Sequence, residues 1–163
     1  MRATVPALLA LLLSGSSIQL PATGEAARDK VLALMHKGAD QRKSGDYAGA
    51  AETYRQVLQS APTLYEAHLF LADSLKRRRL NKEAMEEFRV ARRLRPSDPL
   101  PYLSLADLHR DAFQFPEALA VLQQASLAVP ALRREPIEVA NGTLLRQSGR
   151  ADASVAALAE AAK

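Results

Sequence analysis

The chain contains no cysteine. That excludes disulfide staples, thiol nucleophiles, cysteine-ligated zinc and a lipidated N-terminal cysteine. Tryptophan is also absent, and four tyrosines and four phenylalanines are the only aromatics in 163 residues. A core must therefore be filled by Leu, Ala and Val, which suits close-packed helices better than a β-sandwich. Histidine is confined to His36, His68 and His109. None has a partner at a metal-motif spacing such as H-E-x-x-H, and no Walker loop, dinucleotide fingerprint or G-x-S-x-G elbow occurs. Carboxylates are plentiful but scattered. The expectation is no catalysis, no metal and no cofactor.

Charge of one sign is equally scarce. Lys and Arg number 22 against 18 Asp and Glu, a net charge of +4, which does not by itself imply nucleic acid. The densest basic stretch, KRRR at 76–79 with Arg89, Arg92, Arg93 and Arg95, is interleaved with Glu83, Glu86 and Glu87. Mixed signs without aromatic stacking residues describe a solvated helix face rather than a nucleic-acid surface. An acidic partner or an acidic membrane surface is the more credible match.

One long apolar run stands out. MRATVPALLALLL carries Arg2, then apolar residues to Leu13, then SGSS. This is the n-region and h-region of an export signal, and it is short of the about 20 residues a spanning helix needs. Residues 1–24 are read as a cleaved signal, with an uncleaved membrane anchor as the alternative. The chain is then exported, to a periplasm or beyond, with membrane attachment only if that segment is retained.

What the sequence does have is a period. Pro62, Pro96 and Pro130 are 34 residues apart, and fixed intervals of this size mark helical repeats. Twelve residues before each proline stands Ala50, Ala84 or Ala118. Eight before stands Tyr54, Phe88 or Leu122, and five before stands Val57, Ala91 or Ala125. Offsets of four and three place these on one face of a helix, expected over 47–60, 81–94 and 116–128. Another helix precedes each, with Leu71, Ala72 and Leu75 in one case and Tyr102, Leu105, Ala106 and Leu108 in the next. Gly45 suits a helix end, Asn81 a helix cap, Asp98-Pro99 a cap followed by proline, and Pro116 a first turn. Small residues recur at Gly38, Ala72, Ala106 and Gly142, where the last step lengthens to 36. Two residues near RREPIE are inserted in a connecting loop.

GDYAGAAETYRQVLQSAP and NKEAMEEFRVARRLRP carry a small–small–large–small–proline pattern. The chain resembles the tetratricopeptide repeat family over about 31–163. The resemblance implies an all-α, right-handed α-solenoid of about four helix–turn–helix repeats, with units near 31–64, 65–98, 99–132 and 135–163 inside a domain 25–163. In the third unit Phe113 stands where the turn glycine would be. The fourth has Ser154 for the usual alanine and no terminal proline.

The resemblance also implies that the first helix of each unit lines a concave side. Three ladders run along those helices. Met35, Leu69, Leu103 and Val139 are apolar. Ala39, Asp73, Asp107 and Thr143 follow four residues on. Arg42, Lys76, Arg110 and Arg146 form a basic ladder. Apolar rungs beside basic ones suit a partner peptide with alternating apolar and acidic side chains, or an amphipathic helix. The basic residues also sit in last turns, where a cation favours the helix dipole by ~0.3–1 kcal/mol without any ligand. Some family members clasp a C-terminal carboxylate with paired Lys and Asn. The matching sites here hold Met35, Ala39, Phe70, Leu100 and Ser104, so that clamp is not expected. The final stretch, ADASVAALAEAAK, is helix-forming on propensity but offers little polar covering. Self-association through 150–163 is therefore expected. The functional expectation is a protein-binding scaffold whose partner is another protein. The alternatives are an envelope assembly factor and an accessory subunit of an envelope enzyme.

Overall fold

A computed structural model describes residues 24–149. Residues 1–23, which hold most of the export-signal reading, and 150–163, which hold the self-association reading, lie outside the described residues. Among the described residues there are seven α-helices and no strand. They are α1 (Glu25–Lys43), α2 (Tyr47–Ser60), α3 (Tyr65–Arg77), α4 (Asn81–Leu94), α5 (Pro99–Asp111), α6 (Phe115–Ala128) and α7 (Glu135–Gln147). Each packs on its sequence neighbour, and α5 also meets α7. Three helix pairs and the first helix of a fourth are thus stacked in one direction, as in an α-solenoid. The first unit begins earlier than the repeat register suggests, because α1 starts at Glu25 rather than near 31. The two inserted residues fall where a 3-10 turn, Ala131–Arg133, precedes α7.

The periodic positions form the core. Ala50, Ala84 and Ala118, the large residues Tyr54, Phe88 and Leu122, and Val57, Ala91 and Ala125 are each no more than 1% exposed. Burying a large side chain of this kind stabilises by ~1.5–3 kcal/mol. Small residues at the facing sites let the backbones approach. At Gly38, a Cβ would lie 2.7 Å from Cζ of Tyr54.

The turns within units share one device. Gly45 and Gly149 have φ of 83°, and at the corresponding points Arg79 has φ 63° and Phe113 φ 59°. The turn expected at glycine is therefore kept without glycine in the second and third units. A residue with a Cβ pays about 1–2 kcal/mol there. Arg79 is exposed, whereas the Phe113 ring meets Phe115 edge-on at 6.4 Å. Arg79→Gly relieves the strain but loosens the unfolded chain by ~0.5–1 kcal/mol. The expected net is a gain of roughly 0.5 kcal/mol in urea unfolding. Gly45→Ala should lose about 1 kcal/mol by the same measure.

Capping follows the sequence at Asp98, departs from it at Asn81, and adds a cap at Asp46. The Asp46 carboxylate accepts a bond from the Gly49 amide at 2.8 Å. Asp98 caps α5, accepting from the Leu100 amide at 3.0 Å, with Pro99 beginning the helix. Asn81 is not a cap. It is the first residue of α4, and Leu80 precedes it without a side-chain bond. The loop therefore enters one residue earlier than the polar side chain suggested.

His68 on α3 is buried. Its Nδ1 lies 2.6 Å from a Glu87 oxygen on α4, and its Nε2 lies 2.9 Å from the Pro62 carbonyl. Both neighbours are acceptors, so both ring nitrogens must donate, and the imidazolium satisfies them. Burial pulls the His68 pKa down and Arg93 adds to that. The bonds to Glu87 and Pro62 and the Glu87 charge outweigh them, so the net shift is upward from 6.5. A raised folded-state pKa adds stability that is full below the unfolded value of 6.5 and is lost as pH rises through the folded value. Urea unfolding at pH 6 should therefore show a larger free energy than at pH 8.5. In His68→Gln that difference should shrink.

Candidate functional site

The first helices α1, α3, α5 and α7 carry the three ladders, and the structure treats the rungs unequally. Met35 is a core residue, not a groove residue. It lies on the stripe Val31, Met35, Gly38 that α1 buries, and is 3% exposed. Its unbranched side chain fills the seam instead of lining a face. Leu69 and Leu103 are half-buried and packed against the core, whereas Val139 is exposed. The apolar ladder thus offers surface only from the second unit onward.

The acidic and basic ladders are one structure. Arg42 Nη2 bonds Asp73 Oδ2 of the next unit at 2.6 Å. Lys76 Nζ bonds Asp107 Oδ2 of the unit after that at 3.3 Å. The offset is 31 residues in both cases, so each cation reaches forward by one repeat less one helical turn. Half-buried pairs of this sort add ~1 kcal/mol at most. Their larger effect is to hold successive first helices in a fixed register. At the third step the acid is missing, because Thr143 stands there. Arg110 turns back to Asp107 at 2.8 Å and to Asp111 at 3.1 Å. Arg146 is exposed.

The sequence reading missed Phe70. Its ring lies 4.7 Å from the Arg42 guanidinium and 5.7 Å from the Tyr54 ring, so it links the ladder to the core through a cation–π contact. Burial holds the Tyr54 phenol above its ordinary pKa of 10, against the pull of Arg42, and it stays neutral. The signal for the ladder was present as the recurrence of an acid 31 residues after a base. The signal for Phe70 was not, since no other unit has an aromatic at that site.

Two hollows lie toward the C-terminal end. A cavity of ≈150 Å³ opens between α5, α6 and α7, where the third ladder step would close. A larger open cleft of ≈590 Å³ runs between α6 and α7, lined by Phe115, Leu119, Gln123, Asn141, Leu145 and Ser148 among others. No three His, Asp or Glu side chains converge on a metal-sized site among the described residues. No described helix is long and apolar enough to cross a membrane.

Stacked helical hairpins with the first helices along one face define a repeat protein of the α-solenoid class. More particularly, the fold is that of tetratricopeptide-repeat proteins, and the middle of the chain carries that repeat. The family model described as "Tetratricopeptide repeat" matches residues 41–108. Similar solved structures share the fold. MamA is 21% identical with a TM-score of 0.69, covering 82% of this chain and 72% of that one. A thermophilic TPR protein of Thermus thermophilus is 21% identical with a TM-score of 0.64, covering 80% and 72%. PilF of Pseudomonas aeruginosa is 18% identical with a TM-score of 0.70, covering 84% and 62%. A curated relative, the surface lipoprotein assembly modifier of Pasteurella multocida, is 32% identical over 111 residues, 68% of this chain. The chain spans about a fifth of that relative's length, 21%.

Proposed function

We propose that the chain is a non-catalytic scaffold that holds a peptide or helix of a partner protein along the face of α3, α5 and α7. The observation that carries this is the half-exposed run Leu69, Leu103 and Val139 beside an ordered ladder of charges. Apolar rungs supply affinity and the flanking charges fix register. Met35 contributes to the core behind this face, and Arg42, Asp73, Lys76, Asp107, Arg110 and Arg146 form its polar border. The test is selection of displayed peptides on the immobilised chain, followed by Val139→Gln at the exposed rung. Affinity for the selected peptides should fall at least about tenfold, which is 1.4 kcal/mol, at an unchanged melting midpoint. Unaltered affinity would move the binding site off this face.

A second reading, an envelope assembly factor or an accessory subunit of an envelope enzyme, is favoured by the Pasteurella relative, whose name concerns assembly of a surface lipoprotein. In that reading residues 1–24 direct export or anchor the chain. N-terminal sequencing of the mature protein distinguishes a cleaved signal from an anchor. Co-purification with a catalytic subunit marks the accessory role. Self-association through 150–163 belongs to the same proposal, and light scattering against concentration tests it.

A further inference from the structure

We propose that the third rung of the charge ladder is a binding site for a single carboxylate, the side chain of an Asp or Glu in the partner polypeptide. This rests on reading the face as a polypeptide-binding surface, and it names the chemistry that one point of that surface takes.

The first two rungs show what a complete step contains. A cation at the end of one first helix meets an aspartate on the next, Arg42 with Asp73 and Lys76 with Asp107. The third step has the cation, Arg110, but Thr143 replaces the acid. A threonine leaves the space of that carboxylate unfilled, and Arg110 pairs within its own helix instead, with Asp107 and Asp111. The space is visible as the cavity of ≈150 Å³, whose polar lining is Asp107, Arg110 and Thr143 and whose walls include Ala106, Ala140 and Leu144. Each water in the liquid takes about 30 Å³, so a carboxymethyl group fits with room for water.

The charges present are consistent with an entering anion. Asp107 is bonded by both Lys76 and Arg110, at 3.3 and 2.8 Å. Arg110 also bonds Asp111 at 3.1 Å. When Arg110 swings to the incoming carboxylate, Asp107 keeps Lys76, as Asp73 keeps Arg42. Thr143 lines the same cavity from α7. The guanidinium fork can offer two parallel N–H bonds to one carboxylate. Half-exposed Leu103 lies one helical turn before Asp107 on the same helix, so an apolar side chain of the same partner has a neighbouring seat.

The probe is aspartate blocked as its N-acetyl N-methylamide, titrated into the isotope-labelled full chain, with blocked asparagine as control. The Arg110 Nε–H and Thr143 amide signals should shift and saturate, with at least about tenfold preference for the aspartate. Thr143→Asp should supply the missing acid from within. It should weaken the probe at least tenfold while raising the urea midpoint. Arg110→Gln should also lose the probe, and it serves if the first variant fails to fold. Equal response to blocked asparagine, undiminished binding by both variants, or non-saturating shifts at every arginine would each overturn the proposal. Tighter binding of inorganic phosphate than of the aspartate would overturn the assignment to a carboxylate. The probe has no apolar side chain, so its binding does not depend on Leu69 or Val139. Retained probe binding with failed peptide selection strikes only the scaffold reading, and the converse strikes only this site.

Discussion

Replacing Ala84 or Ala118 by leucine is expected to lower the unfolding free energy by about 3 kcal/mol, the upper part of the range for overpacking a close-packed site. Both alanines are completely buried on second helices, at the point where each unit admits its large residue. Leucine adds three carbons where the interior has no void to receive them. The helices must separate, and a solenoid transmits that separation to the next unit because each unit contacts only its neighbours. For a domain of this size the melting midpoint should fall on the order of 10 °C. Scanning calorimetry of the two variants checks it. A midpoint within a degree of the parent for either would mean that the site has slack and that the packing register described here is wrong.

Gly38→Ala is the second, and it pits two effects of opposite sign. Alanine in a helix interior is favoured over glycine by ~1 kcal/mol. Against this, the new Cβ would lie 2.7 Å from Cζ and 2.8 Å from Cε1 of Tyr54, where carbon atoms prefer about 3.5–4.0 Å. The contact is with the rigid ring, not a flexible tip. The ring is wholly buried and faces Phe70 at 5.7 Å, so it has little room to retreat. Steric cost should win, with a net loss of about 1–2 kcal/mol in urea unfolding. The third unit shows the remedy, since it pairs Ala106 with Leu122 at the corresponding positions. Tyr54→Leu alone should cost ~2–3 kcal/mol for the void it leaves. Combined with Gly38→Ala, the two should cost at least about 1 kcal/mol less than their sum. Strict additivity would show that the small and large sites do not share one contact.

Much of the fold was legible in advance for a physical reason. A repeat samples the same packing solution several times, so each unit corroborates the register of the others. The second helices at 47–60 and 81–94 were expected with the observed bounds, and the third differed by one residue at its start. Local chemistry was legible where a residue acts on its own backbone, as at Asp98 and Gly45. It failed at Asn81, where the chain entered the helix one residue earlier than the capping preference suggested. It was insufficient at Arg79 and Phe113. There the stacking of units imposes a left-handed turn on residues that disfavour it, and tertiary packing exceeds the local cost.

The sequence by itself determined the helical hairpins, their period, the buried small and large positions and the absence of cysteine chemistry. Each of these depends on spacing along one helix or on composition. Only the tertiary structure decided the state of the face. It took Met35 into the core, joined the acidic and basic ladders into pairs 31 residues apart, buried His68 between Glu87 and Pro62, and left the third rung open at Thr143. Those outcomes depend on the distance between side chains of different units. That distance is set by how closely the helices stack, which no single helix encodes.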